Sequence, residues 1–235
     1  MLEYDTYIDW KNWKKEDFLK FSELERLAFE LEFGAYINKA NVSKVLEVGF
    51  GNGKVLGWAK SLDKECEGVE VNRDLVLRAQ EAGIKAYETI FDIEEKEKYD
   101  VIFVLDVLEH IEAKNLEAFF LKLKSILSLH GKVVTRFPNG DSPFALPTQN
   151  GDLTHVTPIG WHRISHLAQV ASFDLVEYRG ERLYSSSFFL QLVRFSISSI
   201  RYMVADFLLI LFFPRIPKGT VTFRYVNILA VFKNT

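Results

Sequence analysis

The sequence predicts an α/β fold in which a mostly parallel sheet of seven strands is covered by helices on both faces. Three observations carry this. From residue 44 to residue 137, short apolar runs alternate with segments of helical spacing, the pattern of repeated strand–helix units. Within Tyr99–Val107 the run Val101–Leu105 is apolar without a break, as expected of a strand buried on both faces of a parallel sheet. The segment Val45–Val55 joins an apolar run to a helical one through Gly49, Gly51 and Gly53, a junction suited to close backbone approach to a ligand.

Taken in order, residues 16–40 place Phe18, Phe21, Leu24, Leu27, Ala28 and Leu31 at helical spacing between acidic residues, which predicts a helix ahead of the main fold. Strands are then expected at Lys44–Phe50, Glu67–Val71, Ile84–Thr89 and Tyr99–Val107, with helices at Val55–Leu62 and Arg73–Ala82. Leu116, Phe119, Phe120, Leu123 and Ile126 share one face of a helix over 112–129 that stops near Gly131, and a strand follows at Lys132–Phe137. A long loop rich in Gly, Pro, Asn and Asp begins at Pro138. Thr157-Pro158 reads as a cap and first helical residue, so a helix is expected from there to about Ala171. Strands near Leu175–Tyr178 and Thr222–Phe232 complete the set. The chain divides into an N-terminal extension, 1–41, and a main domain, 42–235, which carries an apolar helical insertion at 186–219. Internal repeats and low-complexity tracts are absent.

Composition narrows the class. A chain of 235 residues that is 48% hydrophobic can fill one α/β core, so disorder is not expected. A formal net charge of −3 gives no general attraction to nucleic acid or anionic lipid. Cys66 is the single cysteine, which excludes a disulfide framework and a cysteine-rich zinc site and favours a reducing compartment. Residues 1–13 lack the apolar core of a signal peptide, so a cytoplasmic location is expected. Phe188–Phe213 is almost wholly apolar, but Arg194, Arg201 and Asp206 interrupt it well short of the ~20 residues a spanning helix needs. Gln191, Arg194, Ser198 and Arg201 form a narrow polar stripe on it. This fits burial against the sheet or a homodimer partner, a helix lying at the inner membrane face, or a lid over an apolar or lipid-linked ligand.

The glycine junction asks which ligand it holds. A dinucleotide fingerprint needs a glycine where Lys54 stands, and a P-loop needs G-x-x-x-x-G-K followed by Ser or Thr, so neither template fits. The sequence Glu-x-Gly-x-Gly-x-Gly formed by Glu47, Gly49, Gly51 and Gly53 instead resembles the first motif of class I S-adenosylmethionine-dependent methyltransferases. The resemblance runs over roughly 42–180 plus the last strand. It implies a Rossmann-like sheet whose last strand is antiparallel, with S-adenosylmethionine as cofactor and S-adenosylhomocysteine as product. It further implies that the glycines shape the loop and that Glu47 braces it near the methionine part. Glu70 would bind the ribose hydroxyls and Asp92 the adenine amino group, with Ile93 and Asp106 completing the set. A carboxylate, acceptor-only with two oxygens, suits a vicinal diol, and an acidic site suits a cofactor that carries a sulfonium and no phosphate.

Asp106-Val-Leu-Glu109-His110 resembles the family's Asp-x-x-Glu-His segment. In some quinone-biosynthetic relatives a similar cluster holds a divalent metal; in much of the branch the same residues serve without one, and no metal is expected here. If the acceptor is a hydroxyl, a positioned general base speeds transfer, and His155, just before Thr157-Pro158, is the candidate. His162 and His166 lack the Glu of a zinc-protease motif and read as surface or packing residues, and His130 as a helix-end residue. The expected reaction is methyl transfer to a small-molecule acceptor, a hydroxyl of a sugar or lipid-linked saccharide in polysaccharide biosynthesis. A non-catalytic S-adenosylmethionine-binding protein and an NAD-dependent oxidoreductase are the alternatives.

Overall fold

A computed structural model describes residue 11, residues 13–182, positions 200, 203, 204, 207 and 211, and residues 225–234. The N-terminal helix α1 (Glu23–Ile37) begins later than its apolar spacing predicts because Ser22 caps it. The Ser22 hydroxyl accepts from the Glu25 amide at 3.3 Å, and the Ser22 amide donates to the Glu25 carboxylate at 2.8 Å. Residues 13–20 form a strap outside that helix, with a single 3₁₀ turn at Lys15–Asp17. Leu19, at φ 63°, turns the strap, and its amide donates to the Asn52 carbonyl at 3.0 Å. The strap passes so close to the next helix that a Cβ on Gly57 would stand 2.0 Å from the Leu19 carbonyl oxygen. Gly57→Ala is therefore expected to displace the strap and destabilise the fold by about 1–3 kcal/mol, read as a lowered urea midpoint. An unchanged midpoint would contradict this contact.

The sheet comprises β1 (Lys44–Val48), β2 (Glu65–Val69), β3 (Lys85–Tyr87), β4 (Tyr99–Leu105), β5 (Leu127–Pro138), β6 (Phe173–Gly180) and β7 (Asn227–Asn234). Their order is β3-β2-β1-β4-β5-β7-β6, with the first five parallel and β7 antiparallel to both its neighbours. The helices α2 (Lys54–Ser61), α3 (Arg73–Glu81), α4 (Leu116–Ile126), α5 (Leu146–Gly151) and α6 (Trp161–Val170) complete the described fold. This is the Rossmann-like arrangement, with the antiparallel last strand, that the sequence predicts.

Strand alternation decides which core each side chain joins. Ile102 and Val104 of β4 face Phe120 and Leu123 of α4 and Ile164 and Leu167 of α6. Val101 and Phe103 face the other way, onto Phe33 and Ile37 of α1 and Trp58 of α2. The N-terminal helix thus helps build the second core layer. It is also clamped to β6, where the Arg179 guanidinium donates to the buried Glu32 carboxylate at 2.9 Å and the Tyr36 hydroxyl to Glu177 at 2.7 Å.

Two local expectations are revised. The helix expected from Thr157 begins at Trp161. The amides of Val156 and Thr157 donate to the Glu109 carbonyl at 2.9 and 3.0 Å, and Ile159 bridges to Asn139, so residues 156–160 are held extended. Asp141, twenty residues upstream, caps α6 by accepting from the Trp161 amide at 2.7 Å. The long loop after β5 contains a 3₁₀ turn at Pro143–Ala145 and the short helix α5.

The insertion expected over 186–219 lies almost entirely outside the described residues. Ile200, Met203, Val204, Phe207 and Leu211 are helical and exposed, and their spacing puts them on one helical face. Among the described residues, no helix is long and apolar enough to cross a membrane.

Candidate functional site

The strand order reverses between β1 and β4, and a crevice opens outside the carboxyl ends of the strands at that switch point. The loop from β1 to α2 crosses its mouth. Gly49, Gly51 and Gly53 all lie in the left-handed region, at φ 72°, 52° and 70°. Space as well as φ restricts all three, most tightly the first two. A Cβ on Gly49 would come within 2.4 Å of Val107 Cγ2, and one on Gly51 within 2.6 Å of the Trp13 ring. Glu47 is buried beneath the loop, and its carboxylate accepts from the Leu56 amide at 3.0 Å, tying β1 to α2. That burial raises its pKa well above the ordinary carboxylate range.

A cavity of about 530 Å³ occupies the crevice, within the size range of small-molecule and cofactor sites. Glu70, at the end of β2, stands on one wall with Val69 and Val71. Its two carboxylate oxygens accept from the Gly51 amide at 3.0 Å and the Asn72 amide at 3.1 Å, so the acid is aimed by the glycine loop itself. Burial raises its pKa. Ile90 and Phe91 add apolar lining, and so does Trp13 of the strap, whose ring lies against Gly51. The size, the close-fitting glycine cradle, the loop-held acid and the apolar lining fit an adenosyl group.

Not every residue singled out in the sequence reaches this cavity. Gly49, Gly51, Glu70 and Asp106 line it, while Glu47 and Gly53 shape the loop from behind. Asp92 and Ile93 lie outside the lining. The Asp92 carboxylate accepts from the Thr89 amide at 3.3 Å, capping its own 3₁₀ turn, and Ile93 is buried in the core beside α4. Glu88, Thr89, Ile90 and Phe91 line the cavity where those two were expected. Trp13, Thr154 and Asn115 are lining residues that sequence reasoning missed; the aromatic character of residues 1–13 was the only signal for the first.

The segment after β4 forms the cavity's polar end. Asp106, at φ 56°, is held in a two-pronged ion pair by Arg136, whose Nε donates at 3.0 Å. His110 lines the cavity, and its Nδ1 lies 3.2 Å from the Thr154 carbonyl oxygen. A carbonyl only accepts, so Nδ1 carries the hydrogen and Nε2 keeps a free lone pair. His155 does not line the cavity. Its ring packs edge-on behind His110, with centroids 4.6 Å apart, and its Nε2 lies 4.0 Å from the Glu109 carboxyl and 3.9 Å from that of Asp152. Glu109 is 1% exposed, and neither of its carboxyl oxygens has a hydrogen-bond partner among the described residues; nor does Nδ1 of His155. Burial pushes the Glu109 carboxyl up to about 8 and, with His155 beside it, lowers the pKa of His110. Among the described residues, Glu109, His110 and His155 form the one group of three potential ligands close enough to share a cation. His162 and His166 lie apart on α6, where His166 meets Glu117 at 3.4 Å.

Residues 18–191 match the model of a family described as a methyltransferase domain. No curated protein matches the chain at a significant level. Among solved structures, an S-adenosylmethionine-dependent methyltransferase from Archaeoglobus fulgidus is similar at a TM-score of 0.63 and 16% identity, over 98% of this chain and 99% of that one. A 1,6-didemethyltoxoflavin-N1-methyltransferase from Burkholderia thailandensis, solved with its substrate and S-adenosylhomocysteine, gives 0.57 and 11% over 99% and 83%. A cyclopropane synthase from Mycobacterium tuberculosis gives 0.56 and 10% over 92% and 87%. At these identities the structural likeness shows the fold, while the family match covers most of the chain.

Proposed function

We propose that this chain, which belongs to the class I S-adenosylmethionine-dependent methyltransferases, moves the methyl group to a hydroxyl of a small-molecule acceptor, a sugar or a lipid-linked saccharide. S-adenosylmethionine is its cofactor. In this reading Gly49, Gly51 and Gly53 form the cradle, and Glu47 braces it. Glu70 accepts hydrogen bonds from the ribose, Asp106 faces the methionine end, and Glu88–Phe91 take the adenine in place of the expected Asp92 and Ile93. Direct methyl displacement from a sulfonium needs alignment above all, which the close-packed glycine loop and the cavity provide.

The observation that carries the hydroxyl reading is the polar end of the cavity. His110 presents a tautomer whose Nε2 can accept a proton, with Glu109 and His155 immediately behind it. A hydroxyl acceptor must lose a proton as it is methylated, and this cluster is a place for it to go. His155 then acts from behind His110, as part of the cluster. The exposed apolar face formed by Ile200, Met203, Val204, Phe207 and Leu211 supports an acceptor presented at a lipid surface, with the chain peripheral at the inner face of a membrane.

The test has two stages. Calorimetry should detect binding of S-adenosylhomocysteine and none of NAD. Methyl-labelled S-adenosylmethionine, offered to saccharides, lipid-linked saccharides, amines and unsaturated lipids, should then label a hydroxyl oxygen. Label on nitrogen or carbon would overturn the acceptor reading while leaving the cofactor in place.

A further inference from the structure

At the other end of the sheet, where the parallel strands begin, a second cavity of about 630 Å³ opens beside the turn from α1 into β1. Tyr36 and Lys39 line it from the end of α1 and the turn that follows, Lys132 from β5 and Lys233 from β7. Strand register brings the last two together. Lys132 and Lys233 are direct partners in the antiparallel pair of β5 and β7, and alternation puts them on the same face as Val134 and Val231, the α1 side. Side chains directly opposite stand about 4.5–5.5 Å apart at Cβ, and like charges placed so repel. Burial, with the charge of Lys39 beside it, lowers the pKa of Lys132.

Packing accounts for these lysines singly. Lys39 follows the C-terminus of α1, where a cation is favoured, and the Lys132 ammonium lies 5.4 Å from the Tyr36 ring centroid. It does not account for three in one cavity without a counter-charge. Among the described residues, none of the three forms an ion pair, and the acids nearby are engaged elsewhere. Asp100, the one carboxylate among the described lining residues, accepts from the Ser43 and Lys44 amides at 2.8 and 3.0 Å and from the Ser43 and Ser128 hydroxyls at 3.0 and 3.2 Å. Glu177, whose charge reaches Lys132, accepts from the Tyr36 hydroxyl and from Arg179 Nε, each at 2.7 Å. In a chain of net charge −3, this is a local excess of the opposite sign.

We infer that Lys39, Lys132 and Lys233 form a binding site for the phosphate or diphosphate group of a small molecule, at the opposite end of the sheet from the cofactor cavity. A lysine ammonium is a compact point charge with three donors, well suited to phosphate, and three that converge match an anion bearing more than one negative charge. The cavity is comparable in size with the 530 Å³ cofactor cavity, so it has room for an organic body besides the phosphate, with Val42 and Leu129 as apolar contacts. A bound anion also relieves the repulsion between Lys132 and Lys233, so the ligand stabilises the strand ends that hold it. A concave site of this volume suits a small molecule better than the plane of a membrane. The inference stands apart from the function proposed above, since the two cavities share no lining residue.

Isothermal titration of the full chain with pyrophosphate, in the presence of S-adenosylhomocysteine, should show one anion bound per chain, with an affinity that falls as NaCl is raised. Lys132→Gln and Lys233→Gln should each weaken binding by about fivefold or more. Lys96→Gln, at an exposed lysine paired with Glu94, should leave it unchanged. Pyrophosphate should also raise the urea midpoint of the parent and not that of the double variant Lys132→Gln/Lys233→Gln, which reads the site through folding. Absence of binding, binding that neither substitution weakens, or competition with S-adenosylhomocysteine overturns the site. Lysine-dependent binding to phosphatidylglycerol vesicles, with none to pyrophosphate, overturns the small-molecule ligand in favour of a lipid surface.

Discussion

Glu70→Ala is expected to weaken S-adenosylhomocysteine binding by roughly 1–3 kcal/mol, about 5- to 150-fold in Kd. Two effects add. The ribose loses a charged acceptor, and the amides of Gly51 and Asn72, which donate to this carboxylate at 3.0 and 3.1 Å, lose their partner. The second effect loosens the glycine loop at Gly51, where the backbone is already in the left-handed region. Glu70→Gln keeps one acceptor oxygen and should fall between the two. Isothermal titration of the three proteins measures this directly, and equal affinities would remove Glu70 from the cofactor site.

Phe120→Ala should cost about 3–5 kcal/mol of folding stability. Phe120 is fully buried on the inner face of α4, with its ring at 5.4 Å and 89° to Phe232 and at 6.5 Å and 77° to Phe173. It therefore joins α4 to both of the last two strands, β7 and β6. Its neighbour Phe119 lines the cavity, but Phe120 does not. The folded variant should thus keep the affinity of the parent for S-adenosylhomocysteine while its urea midpoint drops. A loss under about 1 kcal/mol would mean that the surrounding rings collapse into the space.

Much of the fold was legible because its signals are local. Apolar runs separated by helical spacing mark strands and helices wherever a parallel sheet is covered on both faces, and every one of the seven expected strands is present within a few residues of its place. The errors fall where a distant partner overrides a local signal. Thr157-Pro158 has the chemistry of a helix start, yet the Glu109 carbonyl and Asn139 hold that stretch extended and Asp141 caps the helix instead. The N-terminal apolar spacing continues through Phe18 and Phe21, yet the capping box at Ser22 and the turn at Leu19 divide it into helix and strap.

The site divides in the same way. The sequence by itself determined the cofactor cradle, since Glu47, Gly49, Gly51 and Gly53 lie in one strand–loop–helix unit whose geometry follows from adjacent residues, and Glu70 lies at the end of the next strand. Only the tertiary structure decided the acceptor end. His155 had the chemistry of a base, but whether it meets the cavity depends on how the loop after β5 packs against the turn after β4, and that packing sets His110 in front of it and Glu109 beside it. Trp13 reaches the cavity only because the strap crosses at Gly57. Contacts between residues tens of positions apart follow from how whole elements pack, and no spacing along the chain encodes them.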